Sequence, residues 1–157
     1  MVRQISWIAV IPQIIALSIS IALASHLFGR QGIVIGGCSY LAYSIGSRIL
    51  IPRYHRRGIR LLKQQRFADA IPLFRQSLKF FNAHSWIDRY RSIVLMSPSA
   101  VCYREMALAN IGFCYSQIGD GVQARKNFKT CLELFPDNGL ATTAVRMIDS
   151  ASVRGDT

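Results

Sequence analysis

The sequence predicts an all-α protein built from an N-terminal two-helix transmembrane hairpin, residues 1–51, and a helical domain, residues 52–149, with a flexible polar tail at 150–157. Consecutive apolar runs, a deficit of charge and helical spacing predict it. Two uncharged apolar runs follow one another before residue 52, parted only by Gly29-Arg30-Gln31-Gly32. No Asp or Glu occurs before Asp69, and the 157 residues carry a net charge of +11. The charged fraction is 17% and the hydrophobic fraction 51%, where a soluble domain carries about 25% charged residues. Beyond Pro52, apolar residues recur at helical spacing and short breaks divide them into pairs.

The first run covers residues 5–28 and is uncharged while His26 is neutral. A span needs roughly 20 mostly apolar residues, and this run supplies them. Pro12 fits either an early helical turn or a kink. The second run covers 33–47 and resumes at Ile49 beyond Arg48. It reaches the required length with Gly32 and Arg48 at its ends, the Arg48 side chain snorkelling toward the head groups. Gly32, Gly36, Ser39, Ala42 and Gly46 form a stripe of small residues on this second helix. Ala16, Ser20 and Ala24 supply a matching face on the first. Helices in lipid associate through close backbone packing, so small residues mark the contact. Ala22-Leu23-Ala24 resembles a signal-peptide cleavage site. The run is longer than a signal sequence needs, only Arg3 gives it a basic start, and a second run follows at once, which favours an anchor.

Arg48, Arg53, Arg56, Arg57 and Arg60, continued by Lys63 and Arg66, follow the second run without one acid. Cytoplasmic flanks carry the Lys/Arg excess. The expectation is an integral membrane protein with two spans, its C-terminal domain cytoplasmic. Such a basic belt attracts anionic head groups by about 1 kcal/mol per residue near the surface. A nucleic-acid role lacks the aromatic–basic interleaving of an RNA-binding sheet and the helix of a major-groove reader, and is not expected.

Residues 107–136 read as two antiparallel helices folded back at Gly119-Asp120-Gly121. Leu108, Ile111, Gly112 and Tyr115 share one face of the first helix; Ala124, Phe128, Cys131 and Leu132 share one face of the second. Gly112 and Ala124 let the backbones approach, and Pro136 ends the second helix. This stretch resembles a tetratricopeptide repeat, on the strength of Ile111-Gly112, Tyr115, Gly119, Ala124, Phe128, Cys131 and Pro136. It departs from the family at Cys131, where Ala is usual, and at Leu108, where Trp is common. An earlier, weaker copy reproduces the spacing with Gly58, Leu61, Ala70, Phe74 and Ser77, at a constant offset of 54 positions. The family repeats every 34 residues or so, so an insertion of roughly 20 parts the copies. In the earlier copy Leu61 replaces the aromatic, Gln65 the turn Gly, and Asn82 the closing Pro, while Pro72 is tolerable only in a first helical turn. The repeats are placed at about 54–82 and 104–136, within a tetratricopeptide-like α-α superhelix.

The insertion carries Trp86, Ile87, Tyr90, Ile93, Val94 and Leu95 in an apolar stripe, predicting a helix over about 85–96. Packing between the two helix pairs is the reading preferred; lying on the membrane with Trp86 and Tyr90 at the interface is the alternative. Ser97-Pro98 is a cap followed by a first-turn proline, and it starts the next helix. A last helix at about 138–149 covers the open edge of the stack.

No catalytic constellation, cofactor motif or metal set appears. His26, His55 and His84 have no Cys, Asp or Glu at a useful spacing, and Cys38, Cys102, Cys114 and Cys131 form no CxxC pair. No phosphate loop and no G-x-S-x-G is present, so the chain is not read as an enzyme. A surface remains. The resemblance implies that the first helix of each pair lines a groove for a peptide or helix of a partner protein. Carried over by position, the groove residues are His55, Ile59, Leu62 and Lys63 in the first copy. In the second they are Met106, Ala109, Asn110, Phe113, Ser116 and Gln117. The Lys and Asn of carboxylate-clamping members are replaced by His55, Ile59, Ala109 and Phe113, which favours a mixed apolar groove. The expected function is a membrane-anchored adaptor that recruits or holds a partner protein. The alternative is a structural accessory subunit of a larger membrane complex, docked through its transmembrane helices.

Overall fold

The computed structural model describes residues 10–95, 99 and 101–155, and its elements are helical throughout. In chain order they are α1 (Ile11–Phe28), a 3-10 turn (Gly29–Gln31), α2 (Gly32–Leu50), α3 (Arg53–Lys63), α4 (Phe67–Ala83), α5 (Ser85–Arg89), α6 (Arg91–Val94), α7 (Tyr103–Gln117), α8 (Gly121–Leu134) and α9 (Gly139–Gly155). They gather into two compact units. One holds α1, α2, α5 and α6; the other holds α3, α4, α7, α8 and α9. The start of the first apolar run, residues 5–9, and the Ser97-Pro98 cap lie outside the described residues.

In the first unit, Pro12 stands in the first turn of α1, where its missing N–H lacks a helical partner in any case. That decides the position in favour of an early turn. Gly29, at φ 58°, ends the helix in a conformation that glycine adopts freely. The packing of α1 on α2 is close enough to exclude side chains. A Cβ on Gly36 would stand 2.7 Å from both Ile21 Cα and the Ser20 carbonyl oxygen. One on Gly32 would overlap the Ala24 carbonyl. Ser20 Oγ donates to the Gly36 carbonyl at 2.9 Å.

The remainder of the small-residue stripe departs from expectation. Ser39 and Ala42 are exposed, Gly46 faces open space, and Ser44 and Ser47 are buried instead. The cause is helical phase. Steps of four from Gly32 through Gly36 and Tyr40 reach Ser44, and a step of three then reaches Ser47. Ser39, Ala42 and Gly46 lie about a third of a turn away. Residues Ile11–Leu50 are long and apolar enough to cross a membrane, with little of that surface covered by protein. Ile14, Ile19, Leu23, Leu27, Val34, Leu41, Ile45 and Leu50 all point outward.

The insertion corrects two expectations. It is not one helix but two short ones, parted by a turn at Tyr90, whose carbonyl accepts from both Ile93 N–H and Val94 N–H at 2.9 Å. Nor does it separate the helix pairs, because it belongs to the unit of α1 and α2, and α4 packs directly on α7.

In the second unit, α3 pairs with α4 and α7 with α8 by the same contact. A Cβ on Gly58 would come within 2.9 Å of the Phe74 ring, and one on Gly112 within 2.8 Å of the Phe128 ring. Ala70 and Ala124 are fully buried beside these rings. The two turns also match. Arg66 N–H donates to the Leu61 carbonyl and Asp120 N–H to the Tyr115 carbonyl, both at 3.0 Å. Gln65 and Gly119 hold the left-handed position between, at φ 59° and φ 82°. This is the Schellman arrangement, in which a residue of positive φ lets the chain leave the helix while satisfying its last carbonyls. Asp120 then caps α8 by accepting from Gln123 N–H at 3.0 Å.

Pro72 stands beyond the first turn of α4, inside the helix. It is tolerated because both Pro72 and Ala68, whose carbonyl would lose its partner, are exposed to solvent. The start of α7 is Tyr103, after an extended Cys102. The last helix continues to Gly155 through most of the segment expected to be a loose tail.

A non-glycine residue at positive φ costs about 1–2 kcal/mol, partly offset because glycine loses more freedom on folding. Gln65→Gly should therefore raise stability by about 0.5–1 kcal/mol, and Gly119→Gln should lower it by a similar amount or more. Thermal unfolding of the protein, followed by circular dichroism, reads both.

Candidate functional site

Met106, Asn110, Phe113 and Gln117 recur at steps of four, three and four along α7 and share a face. The opposite face carries Ile111, Gly112 and Cys114, which are buried against α4 and α8. Beside Phe113 opens an apolar cleft of about 540 Å³, lined from α7 by Phe113, Ser116 and Gln117, from α8 by Phe128, and from α9 by Leu140, Thr143, Ala144, Met147 and Ile148. No ionisable side chain lines it.

The far wall is set by how α9 is held. Asn138 caps α9, its Oδ1 accepting from Ala141 N–H at 2.8 Å. Its Nδ2 donates to Glu105 Oε1 at 2.8 Å, tying the start of α9 to the first turn of α7. Farther along, Arg125 Nε donates to Asp149 Oδ1 at 2.5 Å and joins α8 to α9. That hydrogen bond holds the Asp149 carboxyl below its ordinary range. Ala141 is buried against α8. Leu140 and Met147 are 53% and 66% exposed, so α9 covers the edge of α8 while leaving an apolar stripe of its own beside the cleft.

The expected groove residues are not all on one open wall. Phe113, Ser116 and Gln117 reach the cleft. Phe113 also meets Phe67 edge-on, ring centroids 6.0 Å apart. Met106 and Asn110 are half-buried on the same face, and Ala109 is buried. In the first pair, Ile59 and Leu62 pack against the cluster of Ala70, Ile71 and Phe74, and Lys63 is exposed. His55, only 5% exposed, sits edge-on to Phe74 at 5.4 Å and to Tyr103 at 5.3 Å. It is a core side chain. The α9 residues were not among those expected, although Leu140, Thr143, Ala144 and Met147 recur at one-face spacing.

Arg53, Arg56, Arg57, Arg60 and Lys63 are exposed along one face of α3, opposite His55 and Gly58. The basic run is therefore a helical stripe. Among the described residues, no three His, Cys, Asp or Glu side chains gather where they could hold a metal.

Two thiols lie beneath the site. Burial pushes Cys114 up to about 11. Burial, reinforced by Glu105 and Cys102, pushes Cys131 up to about 12. Both are neutral thiols at physiological pH and behave as small apolar groups.

The chain matches no protein-family profile, no curated protein and no solved structure.

The raised thiols predict an alkaline loss of stability. Between 9.0 and about 12 the unfolded chain releases thiol protons that the folded chain keeps, so unfolding becomes easier as pH rises. Cys131→Ala should flatten that decline relative to wild type while leaving stability near pH 7 little changed. Denaturant unfolding at stepped pH measures the difference.

Proposed function

We propose that this chain is a membrane-anchored adaptor of the tetratricopeptide-repeat type. Ile11–Leu50 would cross the bilayer as a two-span hairpin, and the helical unit would hold a partner protein from the cytoplasmic side. The observation that carries the reading is the uncharged cleft beside α7, on the face where the resemblance puts the partner groove. A cleft of this lining fits apolar side chains of a helix or extended segment. The repeated Gly58–Phe74 and Gly112–Phe128 contacts support the family reading. The outward apolar surface of α1 and α2 supports the anchor. The basic flank supports the orientation. Anchoring adds to function by raising local concentration, so that a modest groove affinity suffices at the bilayer.

A second reading has its own observation. Ser39, Ala42 and Gly46 form a small-residue face on α2 that α1 does not cover. As an accessory subunit, the protein would dock a larger membrane complex through that face.

Purification of the full chain in mild detergent distinguishes the two. Paired Leu140→Glu and Met147→Glu substitutions, which place charge beside the cleft, should reduce partner recovery at least tenfold with the protein still in the membrane fraction. Recovery that survives those changes but is lost with Gly46→Leu would favour the accessory subunit. The anchor has its own check: the protein should resist alkaline carbonate extraction, and a reporter fused after Thr157 should be active only in the cytoplasm.

A further inference from the structure

We propose that α5 and α6 form an interfacial strap that lies at the membrane–water boundary and takes the glycerol and head-group layer of the bilayer as its partner. The inference rests on the anchoring reading and extends it to a segment outside the apolar run.

The strap belongs to the same compact unit as α1 and α2, and it is fastened to α2 by its C-terminal end. Tyr43 Oη donates to the Val94 carbonyl at 3.1 Å, and Arg48 Nε donates to the Leu95 carbonyl at 3.2 Å. Carbonyls at the end of a helix have no partner within it, and these two donors supply one. Arg91 braces the strap internally, through Nη1 to the Asp88 carbonyl at 3.1 Å and Nε to the Ser99 carbonyl at 2.9 Å. Ile87, Asp88 and Leu95 are buried on the inner side.

The outer side has a different composition. Trp86, Tyr90 and Ile93, at successive steps of four and three, are 54%, 53% and 52% exposed. Arg89 is exposed between them. Trp and Tyr join an apolar ring to a polar tip and concentrate where hydrocarbon meets water. Arg buries its stem and keeps its charge among head groups. Tyr43 and Arg48, which hold the strap, lie in the last turns of α2, where the candidate span ends. The outward apolar surface of that span continues beside them through Leu41, Ile45 and Ile49. A protein partner fits less well, because four side chains fall far short of the 20–30 residues a side of a typical stable interface.

The experiment uses the full chain with Trp7→Phe, which leaves Trp86 as the remaining tryptophan. The protein is reconstituted into phosphatidylcholine vesicles that carry bromine either near the glycerol or deep in the acyl chains. The expected result is blue-shifted Trp86 emission, lost most with the shallow bromines and little affected by aqueous acrylamide. Water-like emission quenched by acrylamide overturns the strap. So does blue-shifted emission indifferent to bromine, which means protein covers Trp86, whether another segment or a second copy. Should Trp7→Phe fail to insert, the difference in quenching between wild type and Trp86→Phe reads the same quantity. Flotation after a carbonate wash separates the two claims. A chain that does not float with the vesicles overturns the anchor and the strap together. One that floats with Trp86 unquenched overturns the strap alone.

Discussion

A phenyl ring laid on a bare glycine backbone sets the geometry of the helical unit. Phe74 occupies the space where Gly58 has no Cβ, and Phe128 does the same at Gly112. Each contact fixes how near two antiparallel helices lie, and packed interiors tolerate little change in that distance. The rest follows from it. Ala70 and Ala124 are fully buried beside the rings. With both pairs at the same spacing, α4 presents Ile71 and Phe74 to Ile111 and Cys114 of α7. One face of α7 is consumed by this packing, and the other is left for Phe113 and the cleft.

The two pairs reach the same geometry with unequal chemistry. The second has Gly119 at the turn and Asp120 as a cap that accepts a backbone hydrogen bond. The first has Gln65 forced to positive φ, no side-chain cap on α4, and Pro72 inside the helix. Ser77, in the place corresponding to Cys131, has its hydroxyl buried without a partner among the described residues. Cys131 bears the same confinement more easily, since a thiol is a weaker hydrogen-bonding group and more nearly apolar. Packing outweighs these local defects because it acts along the whole length of each helix, whereas a turn or cap contributes only at its end.

The unit of α1 and α2 is governed by a different balance. Its large aliphatic side chains face outward, and its contacts between helices are made by backbone and small groups at Gly32, Gly36, Ser20 and Ala24. Close backbone approach and an interhelical hydrogen bond are the contacts by which helices associate where no hydrophobic drive brings them together. A pair of this kind suits the anchor proposed for the adaptor.

The sequence by itself determined the helical class, the positions of the paired helices and the apolar segment, because each depends on local periodicity. Glycine and phenylalanine at a constant offset announced the two crossings. The Gly32–Gly36 and Ser20–Ala24 contact was legible for the same reason. Tertiary structure decided what a periodic pattern leaves open, namely which face meets which neighbour. It turned α2 so that Ser44 and Ser47 face inward in place of Ser39 and Ala42. It buried His55 between two rings and placed α5 and α6 with the apolar helices instead of between the pairs. It also brought Leu140 and Met147 to the rim of the cleft through the Asn138–Glu105 hydrogen bond, made by side chains thirty-three residues apart. Helical spacing is written into adjacent residues, while the partner of a helical face depends on groups far along the chain.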